Sequence, residues 1–180
     1  MSEMVNYFGY GANRNSRMIA AITGRAASGL AGRAAVLQDF NLCVQNLGQI
    51  PNVVVGTAPA PKTPREIIRA NWGGDFLSYG IKPAEGGKVA GTIWWLTPEE
   101  RERIRDWELI DFGWYEDTSG IATTNDGREP LEVVTERLRS SQDVAEVVDG
   151  LNYETWLAPA EKFEAIASIA RQEYDARNIV

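Results

Sequence analysis

The sequence of 180 residues contains no histidine. This absence excludes the Ser-His-Asp and Cys-His arrangements of nucleophilic catalysis, and it removes the commonest side-chain ligand of catalytic zinc. Any acid–base chemistry near neutral pH is therefore left to a carboxylate, a lysine, a tyrosine or a water molecule. We expect neither a zinc site nor another metal centre.

Cysteine, positive charge and long apolar runs are also scarce. Cys43 is the only cysteine, so an internal disulfide is impossible, and its apolar neighbours indicate a small buried strand residue. The formal net charge of -7 supplies no basic face, so we expect no nucleic-acid partner and no anionic membrane surface. The apolar runs are too short to span a bilayer, and Met1-Ser2-Glu3 lacks the basic start of a signal peptide. A cytoplasmic location is therefore expected.

The composition is that of a folded domain, with 44% hydrophobic and 24% charged residues. We expect one domain over residues 1–180, with a long excursion around residues 45–75. Glycine and proline interrupt this excursion, which is typical of either a functional or a mobile loop, and the residues leave both readings open. The six tryptophans are expected to pack in the core and along the walls of a cleft.

Capping motifs and apolar periodicity predict four helices. Thr97-Pro98-Glu99-Glu100 and Thr63-Pro64-Arg65-Glu66 each combine an N-cap threonine, a proline at the first helical position and a glutamate that can complete a capping box. They predict helices over residues 98–107 and 64–70. Another helix is predicted over residues 16–22. The last begins at Pro159 and ends near residues 174–178, with an apolar stripe formed by Phe163, Ile166, Ile169 and Ala170.

Most of the remaining chain has the alternation and the turn signals of strands. Residues 34–37 and 40–44 are predicted to form a hairpin with its turn at residues 38–39. Residues 76–81 and 88–96 are predicted as strands on either side of a turn at residues 83–87, and residues 88–96 have apolar side chains on both faces, which indicates burial on both sides. A further hairpin is predicted from residues 113–123 and 131–135, joined at residues 125–127. Residues 143–148 fit either a helix or a strand.

The stretch Tyr7-Phe8-Gly9-Tyr10-Gly11-Ala12-Asn13 has the pattern of a strand that passes through a tight turn into a helix. Such a turn directs backbone N–H groups outward at a helix start, where they favour an anion or a polarised carbonyl. A plain structural turn has the same spacing. The stretch alone therefore does not separate a binding socket from a turn.

Glu108 stands between large apolar residues, in Trp107-Glu108-Leu109-Ile110. If this carboxyl group is buried, desolvation raises its pKa and makes it usable as a general acid or base near neutral pH. The alternative is a partly exposed glutamate paired with Arg105 or another cation. Other carboxylates lie nearby in the sequence, so spacing alone does not select Glu108.

Four segments, taken in order, resemble the γ-glutamylcyclotransferase-like family. The aromatic strand and Tyr-Gly-Ser-Asn turn of the family are matched by residues 7–13, its second strand pair by residues 34–42, and its Val-x-Gly-x-x-Trp/Tyr strand by residues 89–94. Its helix-terminal acid, followed seven positions later by a tyrosine, is matched by Glu108 and Tyr115. The resemblance implies a mixed α+β fold, in which a small closed or nearly closed β-barrel is flanked by short helices.

The resemblance also implies a site and a reaction. The substrate would be a small γ-glutamyl amine or peptide, whose α-amine attacks its own γ-carbonyl and releases 5-oxoproline and a free amine. Glu108 would be the general acid/base, and neither metal nor cofactor would be required. The implied substrate-binding residues are Tyr7, Phe8, Gly9, Tyr10, Gly11, Ala12, Asn13, Tyr115 and Tyr153. An oligomeric state is not implied.

Two residues depart from the family pattern. Ala12 replaces a serine, which removes one hydroxyl from the socket, and Leu109 follows the acid where the family usually has glycine. These differences keep two alternatives open. One is a protein of the same fold that binds or modifies another small amine-bearing ligand, and the other is a non-catalytic interaction domain.

Overall fold

The computed structural model describes residues 3–127 and 130–178. The strands in this part of the chain are β1 (Val5–Gly9), β2 (Gly32–Asn46), β3 (Leu77–Leu96), β4 (Tyr115–Thr124), β5 (Leu131–Leu138) and β6 (Glu146–Val148). The α-helices are α1 (Ser16–Thr23), α2 (Pro64–Trp72), α3 (Pro98–Trp107) and α4 (Ala160–Arg177). Short 3₁₀ helices span Gly11–Arg14, Ala27–Gly29 and Leu47–Gln49.

Five strands close into a barrel. Around the ring, β1 pairs with β3, β3 with β2, β2 with β4, β4 with β5, and β5 with β1. The pairs are antiparallel except for β1 and β5, which run parallel and meet at Tyr7 and Val134. The short β6 extends the sheet at the far end of β2. The expected α+β fold with a small barrel and flanking helices is confirmed.

The predicted hairpin over residues 34–44 is wrong, because β2 is one continuous strand of 15 residues. Asp39 has a φ of 63°, and the register with β3 shifts between Gln38 and Phe40. The turn predicted at residues 83–87 is also wrong, because the chain does not reverse there and β3 continues through these residues. Its residues form the other side of the same bulge, where the Asp39 carboxylate accepts a hydrogen bond from the Gly86 N–H at 3.0 Å. The turn residues therefore bend a strand pair instead of ending it.

The second half of β3 has buried apolar side chains on both faces, with one exception. Val89 and Ile93 point into the barrel, while Trp94 and Leu96 on the opposite face are covered by helices. Trp95 is the exception, with 63% of its surface exposed. The two-sided burial expected from the pattern therefore holds except at Trp95. Cys43, on β2, is buried as expected.

The helix predictions are confirmed in position. Thr97 caps α3, and Glu100 accepts a hydrogen bond from the Thr97 N–H, so the capping box is complete. The predicted hairpin of β4 and β5 is also confirmed, and the ambiguous residues 143–148 contain the short strand β6. In α4, the predicted stripe is wrong at Ile169, which is 56% exposed, because Ala167 is the residue that packs against the helices beneath. None of the helices in residues 3–127 and 130–178 has the length and apolar character needed to cross a membrane.

Candidate active site

The opening turn is shaped by two glycines. A Cβ on Gly9 would lie 2.1 Å from the backbone oxygen of Asn13, so no side chain fits there. Gly11 has a φ of 60°, which glycine adopts without strain. The chain then forms the 3₁₀ helix Gly11–Arg14 and enters α1 with Asn15 as its N-cap. The predicted strand, turn and helix are therefore present, with one 3₁₀ turn between them.

Side chains of β3 hold this turn from behind. Trp94 Nε1 donates a hydrogen bond to the Asn13 carbonyl oxygen at 2.8 Å, and Thr92 Oγ1 donates one to the Arg14 carbonyl oxygen at 2.9 Å. Residues 10–13 line a cavity on the other side. The strand that resembles the family's third element is thus the support of the turn.

The backbone donors of the turn are only partly free. The Gly11 N–H donates to the Tyr153 hydroxyl at 3.2 Å, and the Asn13 N–H donates to the Tyr10 carbonyl oxygen at 3.2 Å. The Ala12 N–H makes no hydrogen bond within residues 3–127 and 130–178. Among these three donors, Ala12 therefore offers the one that a ligand can take without displacing another contact.

Glu108 lies at the C-terminal end of α3, half-buried and facing the same cavity. Its Oε1 accepts a hydrogen bond from Asn13 Nδ2 at 2.8 Å. Arg105 is turned away from it and forms ion pairs with Asp117, Glu102 and Asp111. The alternative of a surface ion pair between Glu108 and Arg105 is therefore wrong.

The residue after the acid carries local strain. Leu109 has a φ of 53°, a left-handed conformation that costs a residue with a Cβ about 1–2 kcal/mol. Its side chain is buried among Ile68, Ile110 and other residues of a hydrophobic cluster, which offsets the cost. Glycine would adopt this conformation without that cost, and the packing of Leu109 shows that a leucine can be held in it.

A second buried carboxylate stands behind Glu108. Asn13 Nδ2 also donates to the Tyr7 hydroxyl at 3.0 Å, and Tyr7 in turn donates to Glu136 Oε1 at 2.6 Å. Arg101 forms an ion pair with Glu136 Oε2 at 3.3 Å. A hydrogen-bonded chain thus runs from Glu108 through Asn13 and Tyr7 to Glu136 and Arg101.

The two carboxyl groups do not titrate alike. Burial raises the pKa of Glu108 well above its ordinary value, the charge of Glu136 raises it further, and the Asn13 hydrogen bond and Arg101 oppose the rise. Burial also raises the pKa of Glu136, but Arg101 and the Tyr7 hydroxyl lower it directly. Of the two groups, Glu108 therefore has the pKa that lies further above its ordinary value, and Glu136 is the one whose charged form is directly stabilised by partners.

The raised pKa of Glu108 predicts a pH-dependent effect of Glu108→Gln on stability. The unfolded chain loses this proton near pH 4.3, whereas the folded protein holds it to a higher pH. The contribution of this proton to the unfolding free energy is therefore fully present below about pH 4.3 and is lost as the pH rises towards the folded pKa.

Glutamine has no proton to lose, so the variant should gain stability relative to the parent protein as the pH rises from about 4.3 towards the raised pKa of Glu108. Urea unfolding at several pH values across this interval measures the difference. Glu102→Gln, on the exposed side of the same helix, is the matched control and should show no such trend. A difference for Glu108→Gln that does not change with pH would contradict the assignment of the proton.

The cavity has a volume of about 490 Å³. Of the residues predicted for the site, it brings together five as lining residues, namely Tyr10, Gly11, Ala12, Asn13 and Glu108. Tyr7 lies behind Asn13, fully buried. Phe8 points into the barrel core, and Gly9 packs closely on the turn and on Gly91. These three residues form the support of the cavity instead of its surface.

Tyr115 and Tyr153 lie one layer away from the cavity. Tyr115 is buried, and its hydroxyl donates to the Tyr79 carbonyl oxygen at 2.6 Å. The ring of Tyr153 packs edge-on against the ring of Tyr79, with centroids 5.1 Å apart. Tyr79 itself lines the cavity. Both tyrosines therefore position Tyr79 and the turn.

Several charged residues of the site carry little signal in the sequence. Glu136 lies on β5 and meets Glu108 only through the barrel, whereas Arg101 lies on α3, the helix that ends at Glu108. Asp106 also lines the cavity, and burial raises its pKa to about 6, against the opposing effect of its partner Arg177. The excursion around residues 45–75 contains α2, and residues of α2 line the same cavity.

The fold and the site together define a small α+β barrel protein whose cavity is lined by a carboxyl group of raised pKa beside a strand-to-helix turn. Solved structures share this fold. An uncharacterised protein from Homo sapiens superposes with a TM-score of 0.57 at 19% identity, covering 97% of this chain and 86% of that chain. A gamma-glutamyl cyclotransferase superposes with a TM-score of 0.57 at 17% identity, covering 97% and 86%. A protein from Arabidopsis thaliana gives 0.52 at 18% identity, covering 97% and 87%.

Identities of this size establish the likeness of the fold and nothing finer. No protein-family model matches the chain, and no curated protein matches it in sequence. The resemblance that the four sequence segments carry is thus confirmed for the fold.

Proposed function

We propose that the protein is an enzyme that cyclises a γ-glutamyl amine or peptide, releasing 5-oxoproline and a free amine. The observation that carries this proposal is the hydrogen bond of 2.8 Å between Asn13 of the turn and Glu108, a cavity-lining carboxyl group of raised pKa. A gamma-glutamyl cyclotransferase among the solved structures of this fold supports the same assignment.

Each group has a role that its position allows. The substrate's α-amino nitrogen forms a bond with its γ-carbonyl carbon, and ionised Glu108 takes the proton that this nitrogen loses. The Ala12 N–H, which has no hydrogen-bond partner within residues 3–127 and 130–178, would donate to the developing oxyanion. Glu108 then returns the proton to the leaving nitrogen as the original C–N bond breaks. Because nucleophile and electrophile belong to one molecule, the protein has to fold the substrate, stabilise the oxyanion and move one proton.

The remaining network sets the basicity of Glu108. Asn13 fixes the carboxyl group by donating to it, and Tyr7 fixes Asn13 from behind. The charge of Glu136, which is paired with Arg101, adds to the rise in the pKa of Glu108 that burial causes. A base of high pKa accepts a proton from an amine more readily than an ordinary carboxylate does.

Release of 5-oxoproline tests the proposal. The purified protein is incubated with γ-glutamyl amines and γ-glutamyl dipeptides, and 5-oxoproline is measured by mass spectrometry. We expect release from at least one of them and none from its N-acetylated form, in which the attacking amine is blocked. Equal release from the free and the acetylated compound, or no release from any γ-glutamyl compound, would overturn the proposal.

One observation favours a second candidate function. Ala12 stands where the family pattern has a serine, so the turn lacks that hydroxyl group. The Gly11 N–H already donates a hydrogen bond to the Tyr153 hydroxyl. A cavity with fewer donors suits a different small amine-bearing ligand, which Glu108 would bind as a carboxylate. A thermal-shift screen that finds such a ligand, together with no response to γ-glutamyl compounds, would select this function.

A further inference from the structure

One wall of the cavity is aromatic. Trp72, at the end of α2, packs against Phe76 with ring centroids 5.2 Å apart and edge-on against Phe163 of α4 at 4.6 Å. Phe76 packs in turn on Trp114 at 6.3 Å. These four residues, which we call the aromatic wall, all line the cavity.

The aromatic wall is not closed by the protein itself. Trp72, Phe76 and Phe163 are only half-buried, whereas Trp114 is buried at their inner end. Apolar rings that face a cavity gain free energy when an apolar group replaces the water beside them. The wall is therefore suited to hold an apolar part of a ligand.

The aromatic wall and Glu108 belong to one cavity. The residues that follow Glu108 connect the two, since Leu109 and Phe112 line the cavity and Leu109 shares a hydrophobic cluster with Trp114. Gly11, Ala12 and Asn13 of the turn line the same cavity, and Asn13 contacts Glu108, which donates the proton to the leaving nitrogen in the proposed reaction. A substrate whose γ-glutamyl part occupies the turn can therefore extend its leaving amine within this cavity to the aromatic wall.

We propose that the aromatic wall is the subsite for the leaving amine, and that this amine carries a bulky apolar group such as a phenyl ring or a branched alkyl chain. This inference rests on the proposed function and specifies its substrate class. Ionic recognition has less support at this wall. Of the two cations among the lining residues, Lys62 is exposed and Arg177 is paired with Asp106 at 2.6 Å. The exposed Lys162 has its Nζ 5.4 Å from the centre of the Trp72 ring and donates to the Trp72 carbonyl oxygen at 3.3 Å.

The substrates γ-glutamyl-phenylalanine and γ-glutamyl-alanine provide the test, because they differ only by a phenyl ring. We expect kcat/KM for 5-oxoproline release to be higher for the phenylalanine compound by at least about tenfold. Trp72→Ala should abolish most of this preference by slowing the phenylalanine compound alone. Trp95→Ala, which removes an exposed tryptophan outside the cavity, is the matched control and should keep the preference.

Further measurements distinguish the loss of the subsite from a loss of folding. Circular dichroism checks that Trp72→Ala is folded, and Trp72→Leu, which retains apolar volume, should give an intermediate preference. Equal kcat/KM for both compounds in the parent protein would overturn the subsite and leave the cyclisation standing. If no compound is turned over, binding of the two compounds is measured by calorimetry. Tighter binding of the phenylalanine compound, lost in Trp72→Ala, would support the subsite without the reaction. Equal binding of both compounds, or no binding, would overturn the subsite as well.

Discussion

Replacing Glu108 by glutamine is expected to lower the rate of 5-oxoproline release by about 10²- to 10⁴-fold, because the group that moves the proton is lost. Glutamine has nearly the same shape, and its side-chain oxygen can still accept the hydrogen bond from Asn13. The loss should therefore appear in kcat more than in KM. Initial rates of 5-oxoproline formation, measured with the best substrate of the panel, give both constants.

The pH profile adds a second test of the same residue. Glu108 has to be ionised to take a proton, so kcat/KM of the parent protein should rise with pH through the raised pKa of this group. Glu102→Gln should leave both rate and profile as they are, since Glu102 lies on the exposed side of α3. Undiminished turnover by Glu108→Gln would remove this residue from the mechanism.

Arg101→Met is expected to destabilise the protein by about 3–5 kcal/mol, because it leaves a buried carboxylate without its counter-ion. The side chains of Arg101 and Glu136 are 8% and 2% exposed, and Arg101 also donates to the Thr135 carbonyl oxygen. Methionine keeps much of the apolar volume, so the loss reports mainly on charge. Urea unfolding near neutral pH measures the change in unfolding free energy.

Two companion variants separate the buried pair from ordinary surface pairs. Arg105 lies on the same helix, and its carboxylate partners Glu102 and Asp117 are about half exposed. Arg105→Met should therefore lower the unfolding free energy by less than about 1 kcal/mol. Adding Glu136→Gln to Arg101→Met should recover part of the lost stability, since the uncompensated charge is then absent. A similar cost for both arginine variants, with no recovery in the double variant, would contradict the role of the buried pair.

The ends of helices could be predicted from the sequence where they depend on neighbouring residues alone. The limits of α3 follow from Thr97, Pro98 and Glu100, whose capping interactions involve only neighbouring residues. The end of α1 follows from Gly24, which adopts the left-handed conformation that ends helices. Such elements need no knowledge of the barrel.

The long strands could not be predicted in the same way. Residues 38–39 and 83–87 have turn composition, but they lie opposite one another in β2 and β3, and their paired bulge exists only in the folded barrel. A turn signal gives the local bend of the backbone and does not say whether the chain reverses. The misplaced Ile169 has the same origin, since the neighbours of α4 decide which of its apolar residues are covered.

The candidate site was predictable in part. The turn and Glu108 could be named because they resemble a family motif, and the structure brings them together through Asn13. The partner acid Glu136 could not be named, because its meeting with Tyr7 spans 129 positions of the sequence. Sequence patterns indicate which groups are suited to chemistry, whereas the pKa of Glu108 depends on a neighbour that only the fold supplies.

The parallel contact of β1 with β5 has a consequence for how the chain folds. The ring closes there through one backbone register pair, at Tyr7 and Val134, and through side-chain hydrogen bonds from Tyr7 to Glu136 and from Thr135 to the Phe8 carbonyl oxygen. The entropy of closing the loop between such distant segments is lost before their contacts stabilise the fold, which makes contacts of this kind slow to form. The strand order therefore couples barrel closure to site assembly. The charge of Glu136 can act on the pKa of Glu108 only when β5 lies beside β1, so the closed ring is a condition for the basicity on which the proposed reaction depends.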